Sequence, residues 1–176
     1  MMDMRIVFMG GKQAGCIGIL SILAKKHGIA GAVAYDEGVR MLCESLGIPI
    51  FASVKEGEFR ALAGKSDLLV SVHGREIVPR EVMNLPRLGA INAHPCLYKY
   101  KGARPVERML ADGETRASVG VHRMTEKLDE GEVLAEIFVD VSGKSTECEV
   151  YNALYPFYAA ALMQALDSLE SNSPGQ

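Results

Sequence analysis

Long apolar runs are missing from this sequence of 176 residues. The apolar run near the N-terminus ends at Gly10 and Gly11, which makes it too short for a signal peptide or a membrane helix. Internal repeats, low-complexity blocks and linkers are also absent, and the length is that of about one domain. We therefore expect a single domain over residues 1–170, a flexible tail over residues 171–176, and no membrane partner.

An excess of charge of one sign is missing as well. Lysine and arginine number 19 and aspartate and glutamate number 22, which leaves a formal net charge of -3. The pI is about 5.8. Neither value gives an electrostatic argument for binding nucleic acid, a membrane surface or a polyanion, so we expect no nucleic-acid partner. The sequence leaves the oligomeric state open.

Closely spaced cysteines are the third absence. The four cysteines lie far apart and no two form a C-x-x-C pair; they are Cys16, Cys43, Cys96 and Cys148. Zinc sites and dithiol redox motifs need such compact spacing. We therefore expect no metal, and four reduced thiols in a cytoplasmic protein.

Short apolar segments alternate with helical patterns along most of the chain. Five strands are predicted over residues 5–9, 29–35, 48–51, 67–72 and 88–94. Helices are predicted between them over residues 14–27, 39–46, 56–63 and 79–83. Two more helices are predicted over residues 105–111 and after Thr146, which opens a T-x-x-E capping box, and two more strands over residues 117–124 and 132–141. This order predicts a three-layer, Rossmann-like α/β fold whose mainly parallel sheet is covered by helices on both faces.

Two polar residues follow the apolar run of the fifth predicted strand. Asn92 and His94 are two residues apart, so both side chains project from the same face of a strand. Pro95 has no amide hydrogen to donate and should end the strand there, at the edge where open α/β sheets bind ligands. An amide donor beside an imidazole suits the stabilisation of an oxyanion together with the movement of a proton.

Other uses of these residue types are disfavoured by their spacing. A nucleophile pair of Cys96 and His94 lacks an evident third group to orient it. A metal site from His94, His122 and Asp129 lacks the compact spacing of zinc ligands. Taken alone, His73 and His122 fit satisfied core residues, and Asp129 fits a turn-former between two strands.

A glycine-rich segment, GGKQAG at residues 10–15, follows the first predicted strand and precedes a helix. A phosphate can bind the exposed amides of such a turn. The spacing matches neither G-x-G-x-x-G nor G-x-x-x-x-G-K-[ST], which favours a tight turn with close helix packing. Lys12 within the segment is still a candidate contact for an anionic part of a substrate.

Two separated blocks of the sequence resemble the folate-dependent formyltransferase family. Residues 91–105 read INAHPCLYKYKGARP, and the family pattern is N-x-H-P-S-L-L-P-x-Y-x-G. Residues 119–134 read VGVHRMTEKLDEGEVL, and the second family pattern is G-V-T-x-H-x-M-x-x-x-x-D-x-G. The resemblance covers residues 66–134 and is specific, because both blocks occur in order at a plausible separation.

The resemblance implies a single formyltransferase-like catalytic domain that uses 10-formyltetrahydrofolate as its co-substrate and needs no metal. The catalytic residues that it implies are Asn92, His94 and Asp129. The residues that it implies for binding the folate are Arg75, Ile77, Val82, His122 and Leu128.

The acceptor implied by the resemblance is a small-molecule primary amine. Residues 119–134 look most like the block of sugar N-formyltransferases, which favours a nucleotide-linked amino sugar. The S-L-L-P segment of the family is replaced at residues 96–99, which alters the acceptor side. Methionyl-tRNA is disfavoured because we expect no additional C-terminal domain, and glycinamide ribotide because its enzyme has a G-x-G-S-N loop. Formylation of either, or a non-catalytic folate- or nucleotide-binding module, stays open as an alternative.

The same resemblance predicts that the two substrates enter from opposite sides. The pterin is expected between the segment after the fourth strand and the loop that carries Asp129. The amine is then expected between the turn of residues 10–15 and the loop of residues 96–104. Its predicted contacts are Lys12, Tyr98 and Arg104.

Overall fold

The computed structural model describes residues 3–171. Residues 1–2 and 172–176 lie outside the described residues, and with them the predicted tail apart from Ser171. Between residues 3 and 171, no helix has both the length and the apolar character needed to cross a bilayer.

Seven strands and six helices follow one another along residues 3–171. The strands are β1 (Arg5–Gly10), β2 (Gly28–Ala34), β3 (Ile50–Phe51), β4 (Leu68–Val72), β5 (Ala90–Pro95), β6 (Arg116–Arg123) and β7 (Val133–Asp140). The helices are α1 (Lys12–Ala24), α2 (Glu37–Ser45), α3 (Gly57–Ala63), α4 (Arg80–Met83), α5 (Pro105–Ala111) and α6 (Glu147–Ser171). Every predicted strand and helix is present; the helix over residues 105–111 has the predicted ends, and the ends of most of the others are shifted. Ser171 belongs to α6 and not to the tail.

All seven strands belong to one sheet in the order β3-β2-β1-β4-β5-β6-β7. Neighbouring strands from β3 to β5 run parallel, and β6 is antiparallel to both of its neighbours. The predicted mainly parallel sheet is therefore confirmed. The chain crosses to the other half of the sheet between β3 and β4, so β1 and β4 flank the switch point. Open α/β sheets form their ligand crevice at such a point.

The side chains of the strands alternate between two apolar cores, one on each face of the sheet. On β1, Ile6 and Phe8 pack into the core under α1, α2, α5 and α6, whereas Val7 and Met9 pack into the core under α3 and α4. A strand that is buried on both faces needs apolar residues at successive positions, which explains this uninterrupted run. The predicted three-layer arrangement is therefore confirmed.

The first helix begins earlier than the sequence pattern predicts. α1 starts at Lys12 and not at Ala14, after Gly11 in an extended conformation with a φ of -149°. The amide of Lys12 donates to the carboxylate of Asp36, which also accepts from the amide of Val39 at 3.1 Å. One carboxylate thus joins the starts of α1 and α2, because unpaired amides at helix N-termini need an acceptor.

Two glycines allow α1 to pack closely against its neighbours. A Cβ on Gly15 would lie 2.9 Å from Cγ2 of Val39, and a Cβ on Gly18 would lie 2.9 Å from Cγ2 of Val72. Both distances are shorter than real Cβ contacts, so larger residues would push the helix away. The geometry supports a tight turn with close helix packing at residues 10–15.

The predicted capping box opens α6. The side chain of Glu149 accepts from the amides of Ser145 and Thr146, each at 3.0 Å, and the amide of Glu149 donates to Oγ1 of Thr146 at 3.2 Å. This reciprocal pairing fixes the first turn of the helix. The turn lies beside the carboxyl ends of the strands, where it forms part of a cavity wall.

The connection between β6 and β7 is tightly packed at Gly131. A Cβ on Gly131 would lie 1.8 Å from the backbone oxygen of Arg123, so Gly131→Ala must move the backbone. We expect it to lower the free energy of unfolding by about 1–3 kcal/mol in urea denaturation. Gly57→Ala is the matched control, since its Cβ meets nothing within 4 Å. Equal stability of the two variants would contradict the described packing.

Candidate active site at the junction of two cavities

Two cavities meet at the carboxyl ends of the central strands. The larger cavity has a volume of about 670 Å³ and lies between the loop after β4 and residues 124–129. The smaller cavity has a volume of about 290 Å³ and lies between the start of α1, the loop after β5 and the start of α6. Both are lined by Gly74, Asn92, His94 and Gly102. Ligands in the two cavities would therefore meet at these four residues, which we call the junction.

Asn92 and His94 reach the junction because they share one face of β5. Ala93 between them faces the opposite core, under α1 and α6. The register of the sheet places Asn92 beside Ser71 of β4 and His122 of β6. Alternation along one strand thus buries an apolar residue and presents the polar pair to the cleft.

The carboxylate of Asp129 joins three segments at the junction. Its Oδ2 accepts a hydrogen bond from the amide of Gly102 at 2.7 Å and lies 3.1 Å from Nε2 of His94. Its Oδ1 lies 3.3 Å from Nε2 of His122. Asp129 is only 7% exposed, so these protein groups replace water as its partners.

The charge of Asp129 is stabilised by these partners. Burial raises the pKa of a carboxyl group, but hydrogen bonds from His122, His94 and the Gly102 amide outweigh burial at this site. Together with the charge of His94, they hold the pKa of Asp129 well below its usual range. Asp129 is therefore a carboxylate at neutral pH.

The imidazole of His94 has one paired and one unpaired nitrogen. Nε2 lies 3.1 Å from the carbonyl oxygen of Gly102 and 3.1 Å from Oδ2 of Asp129. Both partners are acceptors, so Nε2 carries a proton. Nδ1 is buried and has no hydrogen-bond partner within the described residues. A buried polar atom left unpaired in a cleft is available to a ligand.

His122 connects Asp129 to Asn92. Its Nδ1 lies 2.8 Å from the carbonyl oxygen of Arg123, to which it donates, and its Nε2 lies 3.5 Å from Nδ2 of Asn92. His122 is 2% exposed and lines a cavity of about 100 Å³ beside the larger one. It does not line the larger cavity itself. Its influence on the junction therefore passes through Asp129 and Asn92.

A second imidazole, His73, forms part of the wall of the smaller cavity. Its Nε2 lies 2.8 Å from the hydroxyl of Tyr158, and its ring centroid lies 5.4 Å from that of Tyr151. Burial, followed by the nearby charges of Lys12 and His94, lowers the pKa of His73 to about 4. The ring is therefore neutral at neutral pH.

Strained backbone is concentrated around the two cavities. Six non-glycine residues between residues 3 and 171 have a positive φ, and five of them lie in the segments that surround the junction. These five are Lys12, His73, Cys96, Arg104 and Asp129. Residues other than glycine rarely adopt a positive φ, and residues held in this conformation cluster at functional sites.

Three of the residues predicted to bind the folate line the larger cavity. They are Arg75, Ile77 and Leu128, and the side chains of Ile77 and Leu128 are 84% and 66% exposed. Val82 does not line it, because the short helix α4 directs its side chain into the core of that face. His122 lies behind the cavity, as described above.

Lys12 and Arg104 line the smaller cavity, whereas Tyr98 does not. The hydroxyl of Tyr98 donates to the carbonyl oxygen of Arg116 at 2.6 Å, and its ring lies 5.3 Å from that of Phe138. The loop after β5 therefore turns Tyr98 towards β6 and β7 and away from the predicted contact.

The smaller cavity is also lined by two residues of α6 that were not predicted. Glu147 and Tyr151 reach it from the start of α6, and Nζ of Lys12 lies 5.1 Å from the ring centroid of Tyr151. The capping box located the start of this helix in the sequence. No sequence signal showed that the start would lie beside the strand ends.

The thiol of Cys96 contacts the core and not the junction. Its Sγ lies 3.5 Å from Sδ of Met109, and burial raises its pKa. A nucleophile pair with His94 is therefore disfavoured by the structure as well. Over residues 3–171, no group of three His, Cys, Asp or Glu side chains is arranged to hold a metal ion.

Comparison with known sequences gives a match over most of the chain. The family described as Formyl transferase matches residues 10–166. The methionyl-tRNA formyltransferase of Chromohalobacter salexigens is 27% identical in an alignment that covers 97% of this chain and 58% of that protein. The chain therefore spans less than two thirds of the length of this curated relative.

Comparison with solved structures shows the same fold. A formyltetrahydrofolate deformylase from Pseudomonas syringae pv. tomato matches with a TM-score of 0.81 and 20% identity, over 99% of this chain and 64% of that chain. The sugar 3N-formyl transferase WlaRD, crystallised in the presence of dTdp and 5-N-Formyl-THF, matches with a TM-score of 0.76 and 15% identity, over 98% of this chain and 65% of that chain. The predicted Rossmann-like fold is confirmed.

The lowered pKa of His73 makes stability depend on pH. An unfolded histidine binds a proton near pH 6.5, whereas folded His73 does so only near pH 4. The unfolded state therefore binds more protons between these values, and stability falls as the pH is lowered through this window. Titration of His73 should lower the free energy of unfolding of the wild type by about 2 kcal/mol between pH 7 and pH 5. We expect His73→Gln, which lacks this group, to lose about 2 kcal/mol less over the same interval.

Urea denaturation of both proteins at the two pH values checks this expectation. Burial also lowers the pKa of His27, but His27 is present in both proteins and cancels from the comparison. Equal losses of stability in the wild type and in His73→Gln would show that His73 is not held neutral by the fold.

Proposed function

Because the chain belongs to the formyl transferase family, we propose that it transfers a formyl group from 10-formyltetrahydrofolate to a primary amine. One observation carries the proposal: two cavities meet at Asn92 and His94, with the carboxylate of Asp129 in contact with His94. The larger cavity, with its exposed aliphatic side chains, suits a flat pterin, and the smaller one suits the amine. Four free cysteines fit a cytoplasmic enzyme.

The proposed reaction needs a neutral amine in the smaller cavity and the formyl carbon at the junction. The amine nitrogen forms a bond to that carbon, and the formyl oxygen becomes an oxyanion. The tetrahedral intermediate then breaks the bond between the carbon and N10 of the folate. The amine nitrogen loses a proton and N10 gains one, so the balance requires proton transfer alone.

Asn92 is proposed to donate to the oxyanion through Nδ2. Nδ1 of His122 already donates to Arg123, so a proton on Nε2 as well makes the ring an imidazolium, whose contact with Asp129 is then attractive. That proton favours the oxygen of the Asn92 amide facing His122, which turns the NH₂ group towards the cavity. In this orientation Asn92 offers a donor where negative charge develops.

His94 is proposed to stabilise charge or relay a proton at the same place. Its Nε2 is held between Asp129 and the carbonyl oxygen of Gly102, so the ring is fixed and Nδ1 is the nitrogen left for the reacting groups. The negative charge of Asp129 stabilises positive charge that develops on the ring. Asp129 also borders the larger cavity, where it can orient a water that accepts the amine proton.

The smaller cavity has room for an acceptor much larger than water. One structurally similar protein is named a deformylase, and hydrolysis would need room for one water, roughly 30 Å³. The cavity of about 290 Å³ is far larger. It is also lined by the charged side chains of Lys12, Arg104 and Glu147, which suit a polar organic molecule.

A nucleotide-linked amino sugar is the proposed amine. Support comes from the resemblance of residues 119–134 to sugar N-formyltransferases, and from Lys12 and Arg104, which can pair with a diphosphate. A phosphate bound to the turn of residues 10–15 would need the amide of Lys12 as a donor, and that amide already donates to Asp36. Glycinamide ribotide, which carries such a phosphate, is therefore disfavoured. The amine of methionyl-tRNA is the second candidate, since the relative reported above carries that name.

The proposed function is tested by following a ¹³C-labelled formyl group. The protein is mixed with labelled 10-formyltetrahydrofolate and, in separate reactions, with a dTDP-linked 3-amino sugar, methionyl-tRNA or glycinamide ribotide. We expect NMR to show an N-formyl amide on the amino sugar. Amide on another amine alone would replace the proposed substrate, and release of formate alone would replace the proposed reaction.

Asn92→Ala removes the proposed oxyanion donor and leaves both cavities open. Loss of one such donor typically lowers kcat by roughly 100- to 1,000-fold, and we expect a loss in this range. The Kd for 5-formyltetrahydrofolate, measured by calorimetry, should stay unchanged. Asn84→Ala is the matched control, because Asn84 lines neither cavity. A kcat close to that of the wild type would remove the role assigned to Asn92.

Lys12→Ala tests which cavity receives the amine. Loss of a charged contact should raise the KM for the amine about tenfold or more, with the Kd for 5-formyltetrahydrofolate unchanged. Tyr98→Phe is the control, because Tyr98 lies outside the cavity and the ring is kept. Weaker folate binding with an unaltered KM for the amine would show that the two cavities are assigned in reverse.

A further inference from the structure

The loop between β4 and α4, residues 73–79, borders the larger cavity but is not held by hydrogen bonds between backbone groups over most of its length. In the part of the chain that the structure describes, no backbone-to-backbone hydrogen bond involves residues 73–78. Ile77 in this loop is nevertheless held with 84% of its surface exposed. A segment without backbone hydrogen bonds opens easily unless side chains hold it.

Glu76 supplies that support through both of its carboxylate oxygens. Oε1 accepts hydrogen bonds from the hydroxyl of Tyr35 at 2.7 Å and from the amide of Val54 at 3.1 Å. Oε2 accepts a hydrogen bond from the hydroxyl of Ser53 at 2.6 Å. Tyr35 directly follows β2, and the other two partners follow β3. Glu76 therefore ties its loop to two other strand ends.

The segment that receives Glu76 is itself fixed. Oε1 of Glu56 accepts from the amides of Ala52 at 2.6 Å and Ser53 at 3.1 Å. The side chain of Val54 is fully buried in the core under α3 and α4. Glu76 thus connects a loop that lacks backbone hydrogen bonds to a segment with little freedom to move.

The charge on Glu76 strengthens these contacts. Burial raises the pKa of Glu76, but its donors, Ser53, Tyr35 and Val54, outweigh burial and lower the pKa below its usual value. Burial and the same contact raise the pKa of Tyr35, which keeps its hydroxyl protonated as a donor. Hydrogen bonds to an ionised acceptor are stronger than those between neutral groups.

We propose that Glu76 is a positioning residue for the formyl donor, an inference that rests on the proposed function. Glu76 lines the larger cavity together with Arg75 and Ile77, but its carboxylate oxygens accept hydrogen bonds from Tyr35, Ser53 and the amide of Val54. The loop is therefore ordered before the donor arrives, and binding does not have to order it. Glu76 acts on the donor through the loop and not by touching the reacting atoms.

Glu76→Gln tests this role because it keeps the size of the side chain but replaces one acceptor oxygen with an NH₂ group. We expect the Kd for 5-formyltetrahydrofolate to rise about tenfold, with kcat unchanged at saturating substrates. Tryptic cleavage after Arg75 in the unliganded protein should become faster, while cleavage after Arg40 on α2 stays the same. Glu58→Gln, an exposed site on α3, is the matched control and should change neither quantity.

Variants of the partners provide a milder test in case Glu76→Gln folds poorly. Ser53→Ala and Tyr35→Phe each remove one donor, and each should raise the same Kd by a smaller factor. Either change combined with Glu76→Gln should raise the Kd by less than the product of the single effects, because the contact is already lost.

Three outcomes would overturn parts of the account and can be told apart. Wild-type affinity in Glu76→Gln, with a wild type that binds the probe, would overturn the positioning role and leave the proposed function intact. A raised Kd with unchanged tryptic cleavage after Arg75 would show that Glu76 contacts the donor directly. A wild type that does not bind 5-formyltetrahydrofolate would overturn the proposed function. It would also overturn the assignment of the formyl donor to this loop.

Discussion

The buried carboxylate of Asp129 is the group on which the junction depends. Its two oxygens meet the amide of Gly102, His94 and His122, which come from the loop after β5, from β5 itself and from β6. Burial alone would favour the neutral acid, and these three partners reverse that preference. Without this side chain, both imidazoles would lose their shared acceptor, and the loop that borders both cavities would lose its link to β6.

The topology of the sheet explains why these groups meet. Parallel strands end at one edge, and the crossing of the chain between the two halves of the sheet opens a cleft beside β1 and β4. The antiparallel strand β6 places His122 directly beside Asn92. The connection from β6 to β7 then returns Asp129 to His94, and a positive φ of 53° at Asp129 marks the sharp turn that this return requires.

Sequence patterns predicted the strands, the helices and the mainly parallel sheet, because apolar periodicity reflects burial on two faces. They also placed Asn92 and His94 on one face, since that depends only on local strand geometry. They did not show that Tyr98 turns away from the cleft, that Val82 lies in the core, or that Glu147 reaches the smaller cavity. These placements depend on loop conformation and on contacts between residues far apart in the sequence, which periodicity does not report.

Formyl transfer by Asp129→Asn is the most direct test of this account. Asparagine keeps the shape of the side chain and an acceptor for the Gly102 amide, but it removes the charge that His94 and His122 share. We expect transfer to the amine to fall by about 100-fold or more, while the Kd for 5-formyltetrahydrofolate changes far less. Transfer within about tenfold of the wild-type rate would contradict it, because the range for acid–base groups begins near 100-fold.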